Sequence, residues 1–297
     1  MKPAKACLVL AIVLLSAYGP NSAAAQALDA PRPIAAIDSV FLEELTWMEI
    51  RDAIKSGKTT VIVGTGGIEQ NGPYVATGKH NYVLRATTDA IARKLGNALV
   101  APIVPFVPEG DIEPPSGHMK YPGTISVTEE TFRRLLTDIC MSLKQHGFRD
   151  IILLGDSGDN QEGMRHVAAA LNVRWRKEST AVHYVPEYYT QDMWSFEYLK
   201  KIGVRQKPDV RSASRAGIHS DYHYEAILAA VDPKLIRTEQ RIAAGQYSVN
   251  GFDMNPPART VENGRKLIEY RANLTVAAIR KLTSQKGSKQ ARKSENG

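Results

Sequence analysis

The sequence predicts an α/β domain whose mainly parallel sheet is covered by helices on both faces. Three observations predict it. Short apolar runs alternate with stretches of helical periodicity along most of the chain, an order that makes parallel sheets. Two of the runs, in Thr59–Gly64 and Asp150–Leu154, are almost unbroken in apolar residues, as strands buried on both faces are. The chain has 297 residues and is 43% hydrophobic, so one domain of roughly 240 residues can bury its own core once the ends are set aside.

The elements follow in order. F-L-E-E-L-T-W-M-E-I-R-D-A-I predicts a helix starting at Thr46, and Thr59–Gly64 the first strand. Val83, Thr87, Ala90, Ile91 and Leu95 form a helical stripe. Ala98–Phe106 reads as a strand made irregular by Pro102 and Pro105. Phe132, Leu136, Ile139 and Leu143 line a long helix capped by Thr128 and ended at Gly147. Asp150–Leu154 is a strand, a helix starts near Gln161, Ala181–Val185 is strand-like, and Tyr222–Val231 is helical.

The ends are of another kind. Residues 1–25 carry a basic start, a short apolar run and a small-residue stretch, the pattern of a signal peptide cut after Ala25. The run is too short to span a membrane, so a periplasmic or secreted protein free of the membrane after cleavage is expected. Residues 26–43, with Pro31 and Pro33, read as an extended lead-in, 44–283 as the domain, and 284–297 as a basic disordered tail. The formal charge of +7 lies mostly in those ends, so the body gives no reason to expect nucleic acid. The mature chain would keep only Cys140, which excludes an intrachain disulfide.

Parallel sheets bind ligands beyond the carboxyl ends of their strands. That rule gathers the loops after Gly64, Leu154 and Val185, which carry Glu69 with His80, Asp156 with Asp159, and Glu187. The glycines Gly64, Gly66 and Gly67 are not followed by G-K-S/T and make no phosphate loop. Gly66–His80 reads G-G-I-E-Q-N-G-P-Y-V-A-T-G-K-H; Tyr121–Val127 reads Y-P-G-T-I-S-V; Gly155–Asn160 reads G-D-S-G-D-N; Gly217–Asp221 reads G-I-H-S-D. In this order the segments resemble the creatininase family of amidohydrolases. That family carries G-x-x-E-Q-H-G-P-H-L-P-L-x-T-D, then F-P-G-T-I-S-L, N-G-H-G-G-N and G-x-H-A-G.

The resemblance implies a three-layer α/β fold, a homo-oligomer, and a metal-dependent hydrolase of non-peptide C–N bonds in small cyclic or linear amides. It places Glu69 at the first metal-binding Glu, Asp159 at an acidic ligand position and His219 at a proton-moving His. It also exposes departures. Asn71 and Ser157 stand where the family has metal-binding histidines, and His80 where it has a bridging Asp. Asn and Ser are poor ligands for zinc-like ions. The resulting expectation is a single divalent ion, zinc or manganese, on Glu69, His80 and Asp159, with Asp156 a possible replacement ligand. Glu69 and His219 would serve catalysis, and His118, Asn71 and Ser157 would meet the substrate. Arg215 falls where creatinine-cleaving members place a Trp lid, which argues against creatinine itself. The competing expectation is an exported binding protein that kept the fold and lost the chemistry.

Overall fold

The computed structural model describes residues 27–190, 192–206 and 220–295. His219 and Arg215, the signal segment to residue 25 and its cleavage point lie outside them. Residues 27–37 form a short unit of their own, and everything below concerns the chain from Asp38 on.

Helix α1 (Trp47–Lys55) begins where predicted because Thr46 and Glu49 cap each other: Glu49 accepts from the Thr46 N–H at 2.7 Å while the Thr46 hydroxyl accepts from the Glu49 N–H. Strand β1 (Thr60–Thr65) follows, then α2 (Lys79–Leu95), β2 (Ala98–Val100), α3 (Glu129–Gln145), β3 (Asp150–Gly155), α4 (Asn160–Arg174) and β4 (Ala181–Tyr184). The sheet is parallel throughout, in the order β2-β1-β3-β4. Thr128 caps α3 as expected, and Gly147 turns the chain away from it at φ +103°.

The second strand is shorter than its apolar run. Pro102 has no N–H to give a ladder, so regular pairing stops at Val100 and resumes only as a bridge from Val104 to Thr65. Strand alternation sorts the core into two layers. Val61, Val63, Ile151 and Leu153 face Phe132, Leu136, Val167 and Leu171 of α3 and α4. Ile62, Ile152 and Leu154 face Leu84 and Ile91 of α2 and Ala272, Val276 and Ile279 of the last helix.

After β4 come α5 (Asp192–Lys201), α6 (Tyr222–Val231), α7 (Thr238–Ala243), a small antiparallel pair β5 (Ser248–Val249) with β6 (Phe252–Asp253), and α8 (Pro257–Glu295). Helix α8 extends past residue 284, the expected start of the basic tail, as far as Glu295. A buried row on α8, Asn263, Leu267, Arg271, Thr275 and Ile279, recurs every fourth residue and lies on one face. Among the described residues no helix is long and apolar enough to cross a membrane.

Candidate active site

The chain leaves β1 through two glycines because side chains crowd it there. A Cβ on Gly66 would stand 1.9 Å from Asn81 Oδ1, and one on Gly67 2.0 Å from Glu109 Oε1. The loop is then clasped from outside. Ile125 N–H donates to the Ile68 carbonyl at 3.0 Å and Gln70 N–H to Thr124 Oγ1 at 3.2 Å, so the P-G-T-I-S segment is a strap over the E-Q loop. The loop after β3 is tied to the same place. Asn160 Nδ2 donates to the Thr65 and Gly66 carbonyls at 3.0 and 2.8 Å.

These ties bring five ionisable side chains into one buried chain. His80 Nε2 meets Glu69 Oε1 at 2.8 Å, and His80 Nδ1 meets Asp156 Oδ2 at 2.7 Å. The Lys79 ammonium reaches the same Glu69 oxygen at 3.1 Å and stands 4.7 Å over the Tyr224 ring. Arg271 Nη2 donates to the other Asp156 oxygen at 2.5 Å and to the Tyr188 carbonyl at 3.0 Å. All five are buried. The remaining Glu69 oxygen faces His118 Nε2 at 3.2 Å, and His118 is the member that opens to solvent, with 24% of its side chain exposed. Its Nδ1 lies 3.4 Å from Gln70 Nε2.

Burial works against protonating His80 and Lys79 repels the added charge, yet Glu69 and Asp156 prevail and hold the imidazole above its ordinary pKa. Burial likewise opposes ionisation of Asp156, but Arg271 and His80 keep its carboxyl below the usual range. Glu109, buried beside Glu69, is pushed up to about 9 by burial and by the Glu69 charge, so it is neutral at pH 7. The site therefore sets Glu69 and Asp156 against Lys79 and Arg271, with the His80 imidazole between them.

Sequence reasoning found Glu69, His80 and His118, and weighed Asp156. The structure joins these four. Asp159 occupies the N-cap position of α4 but is exposed and makes no capping bond, and Glu187 is exposed on the turn at Pro186–Tyr188. Asn71 differs from its expected role: it is buried, and its amide donates to the Glu69 and Ala76 carbonyls at 2.9 and 3.2 Å, shaping the loop from within. Ser157 is also buried, its carbonyl accepting from Gln161 Nε2 at 2.6 Å. Lys79, Glu109 and Arg271 were missed. For Arg271 a signal was present, since it falls on the four-residue spacing that also carries Leu267 and Ile279.

The divalent ion expected on Glu69, His80 and Asp159 requires three donors with free lone pairs around one point. Among the described residues no group of three or more His, Cys, Asp and Glu is arranged to hold an ion. The donor chemistry explains this. Both His80 nitrogens are committed to carboxylates, and an ammonium already sits on the Glu69 oxygen that would ligate. Asn71 and Ser157 offer no imidazole in compensation. The residues present do not fit the implied metal centre.

The family model described as "Creatininase: Creatinine amidohydrolase" matches residues 43–289. Creatinine amidohydrolase of Pseudomonas putida is 28% identical over 122 residues, 41% of this chain and 46% of that protein. The 3-dehydro-scyllo-inosose hydrolase of Thermotoga maritima is 28% identical over 119 residues, 40% of this chain and 36% of that protein. The aligned stretch thus spans less than half of either curated relative. A solved structure of manganese creatininase superposes with a TM-score of 0.60 at 20% identity, covering 82% of this chain and 98% of that one. A sheet of this order, a strap of this sequence over the E-Q loop, and a family match across most of the chain lead to one conclusion: the chain belongs to the creatininase family.

Proposed function

We propose that this protein is an exported hydrolase that opens a non-peptide C–N bond of a small cyclic or linear amide. Acid–base chemistry at His118 and Glu69 would do the work expected of a metal-bound water. Family membership and the hydrolase names of its relatives support the reaction class. The observation that carries the mechanism is the Glu69–His118 contact, where, among the described residues, an otherwise buried charge relay meets solvent.

Glu69 Oε2 would hold the Nε2–H of His118 and leave Nδ1 as the basic nitrogen. A water replacing the long Gln70 contact would lose its proton to Nδ1 and attack the amide carbonyl. Glu69 would steady the imidazolium so formed, which returns its proton to the leaving nitrogen. His80 and Lys79 keep the Glu69 carboxylate in place while this happens. The amino end of α4, beside Ser157 and Asp159, would supply N–H groups to the developing oxyanion. The charges of His118 and Glu69 both act on Asp159, which supports assigning that helix end to the same site.

The test is a screen of small amides and lactams with purified protein, followed by Glu69→Gln and His118→Ala on the best substrate. Both variants should lose most of the rate; turnover indifferent to both would remove the mechanism. The second reading is a silent binding protein, favoured by the near-complete burial of Glu69 and His80. It predicts calorimetric binding of a small amide with no turnover at any pH. The exported location is tested by sequencing the amino terminus of the mature protein, expected to begin at Gln26.

A further inference from the structure

Helix α2 starts with the wrong charge. A helix amino terminus carries partial positive charge and favours acidic residues. Here the first two residues are Lys79 and His80, there is no acid in the first turn, and no side chain caps it. The Lys79 side chain is nonetheless buried completely, which a lysine tolerates only when paired. At these two positions the creatininase motif quoted above ends in Thr and Asp. A position suited to a metal-bridging carboxylate thus holds an imidazole, and the residue before it holds an ammonium.

The placement answers a need elsewhere. Glu69 and Asp156 are both buried, and buried carboxylates persist only beside positive charge. Lys79 supplies it to Glu69 at 3.1 Å and Arg271 to Asp156 at 2.5 Å. His80 spans the two carboxylates. We infer that the Lys79 ammonium, together with Arg271, has taken over the positive charge that a divalent ion would bring, so that this site is balanced and folded without metal. The inference concerns the charge of the site and not its reaction, so it holds equally for a hydrolase and for a silent binding protein.

The test uses the intact mature protein, produced in medium with zinc and manganese and analysed by elemental mass spectrometry and thermal unfolding. The wild type should carry far less than one ion per chain, and its melting temperature should move with neither EDTA nor added zinc or manganese chloride. Lys79→Ala removes the ammonium and opens its space. Its melting temperature should fall by several degrees, and zinc should raise it where the wild type does not respond. A stoichiometric ion in the wild type, or a fall in its melting temperature on chelation, overturns the inference. So does a Lys79→Ala protein as stable as the wild type. If that variant does not fold, the wild-type measurements decide alone.

Discussion

Among the described residues, ion pairs are buried in two places, and they are built differently. Under the small β5–β6 pair, Arg241 meets Glu225 at 2.5 Å and gives its other donors to the Gln246 and Ser248 carbonyls at 3.1 and 2.8 Å. Its guanidinium lies 4.6 Å from the Tyr74 ring. That pair has one charge of each sign, spends the arginine on main chain, and is closed. The cluster at the ends of β1 and β3 strings several charges together and finishes on His118, which solvent reaches. Buried charge alone therefore does not mark a site. An open end does, because only there can a proton or a substrate be exchanged.

Arg271→Met strands the Asp156 carboxylate in the interior and should cost about 3–5 kcal/mol of stability, read from urea unfolding. It should also abolish any activity of the protein that still folds. Arg241→Met should cost a similar amount, about 3–5 kcal/mol, by stranding Glu225. The closed pair differs in its rescue: adding Glu225→Leu should recover much of the loss, whereas Arg271→Met with Asp156→Leu should restore stability without activity. Were the Glu225 double variant inactive although stable, the division between the two regions would fail.

At the open end the expectation reverses. His118→Ala should lower the hydrolysis rate by roughly 10²–10⁴-fold, the usual worth of a general base. Its unfolding free energy should stay within about 0.5 kcal/mol of the wild type, as for other substitutions away from the core. A large stability loss would show that His118 holds the strap rather than serving chemistry.

The smallest effect is a pH dependence at His223. Burial, aided by Arg271, pushes this imidazole down to about 3. The unfolded chain takes the proton first, so this stability is fully present above the ordinary histidine pKa and is lost as pH falls toward 3. The slope is about 1.4 kcal/mol per pH unit for one proton. His80, raised in the fold, works in the opposite sense: its contribution is full below the ordinary value and fades as pH rises. Urea unfolding between pH 6.5 and 4.5 should show His223→Gln with a shallower decline than the wild type. Equal slopes would contradict the burial assigned to His223.

Much of the fold was legible because short-range rules governed it. Thr46 and Thr128 announce their helices by capping, and Tyr222–Val231 by its apolar run behind Asp221, which accepts from the Tyr224 N–H. The second strand was overread because hydrophobicity says nothing of the N–H that Pro102 lacks. The site was legible only in part. Glu69 and His80 stand in motif positions and His118 in the loop before Pro122, but Lys79 at a helix start reads as a solvated lysine. Nothing local tells that α2 drives it into the interior against Glu69. Arg271 was hidden differently: its row on α8 marks burial, while its partner lies 115 residues away. Counting ligand types along the chain did not count the cations already in place beside Glu69 and Asp156.

In the proposed mechanism protein charges, opened to solvent at His118, do the work assigned to a metal elsewhere in the family. The most direct test is the hydrolysis rate of the best amide or lactam substrate before and after exhaustive chelation. The account predicts an unchanged rate in the chelated wild type and its loss in His118→Ala. A rate abolished by chelation and restored by zinc or manganese would contradict it.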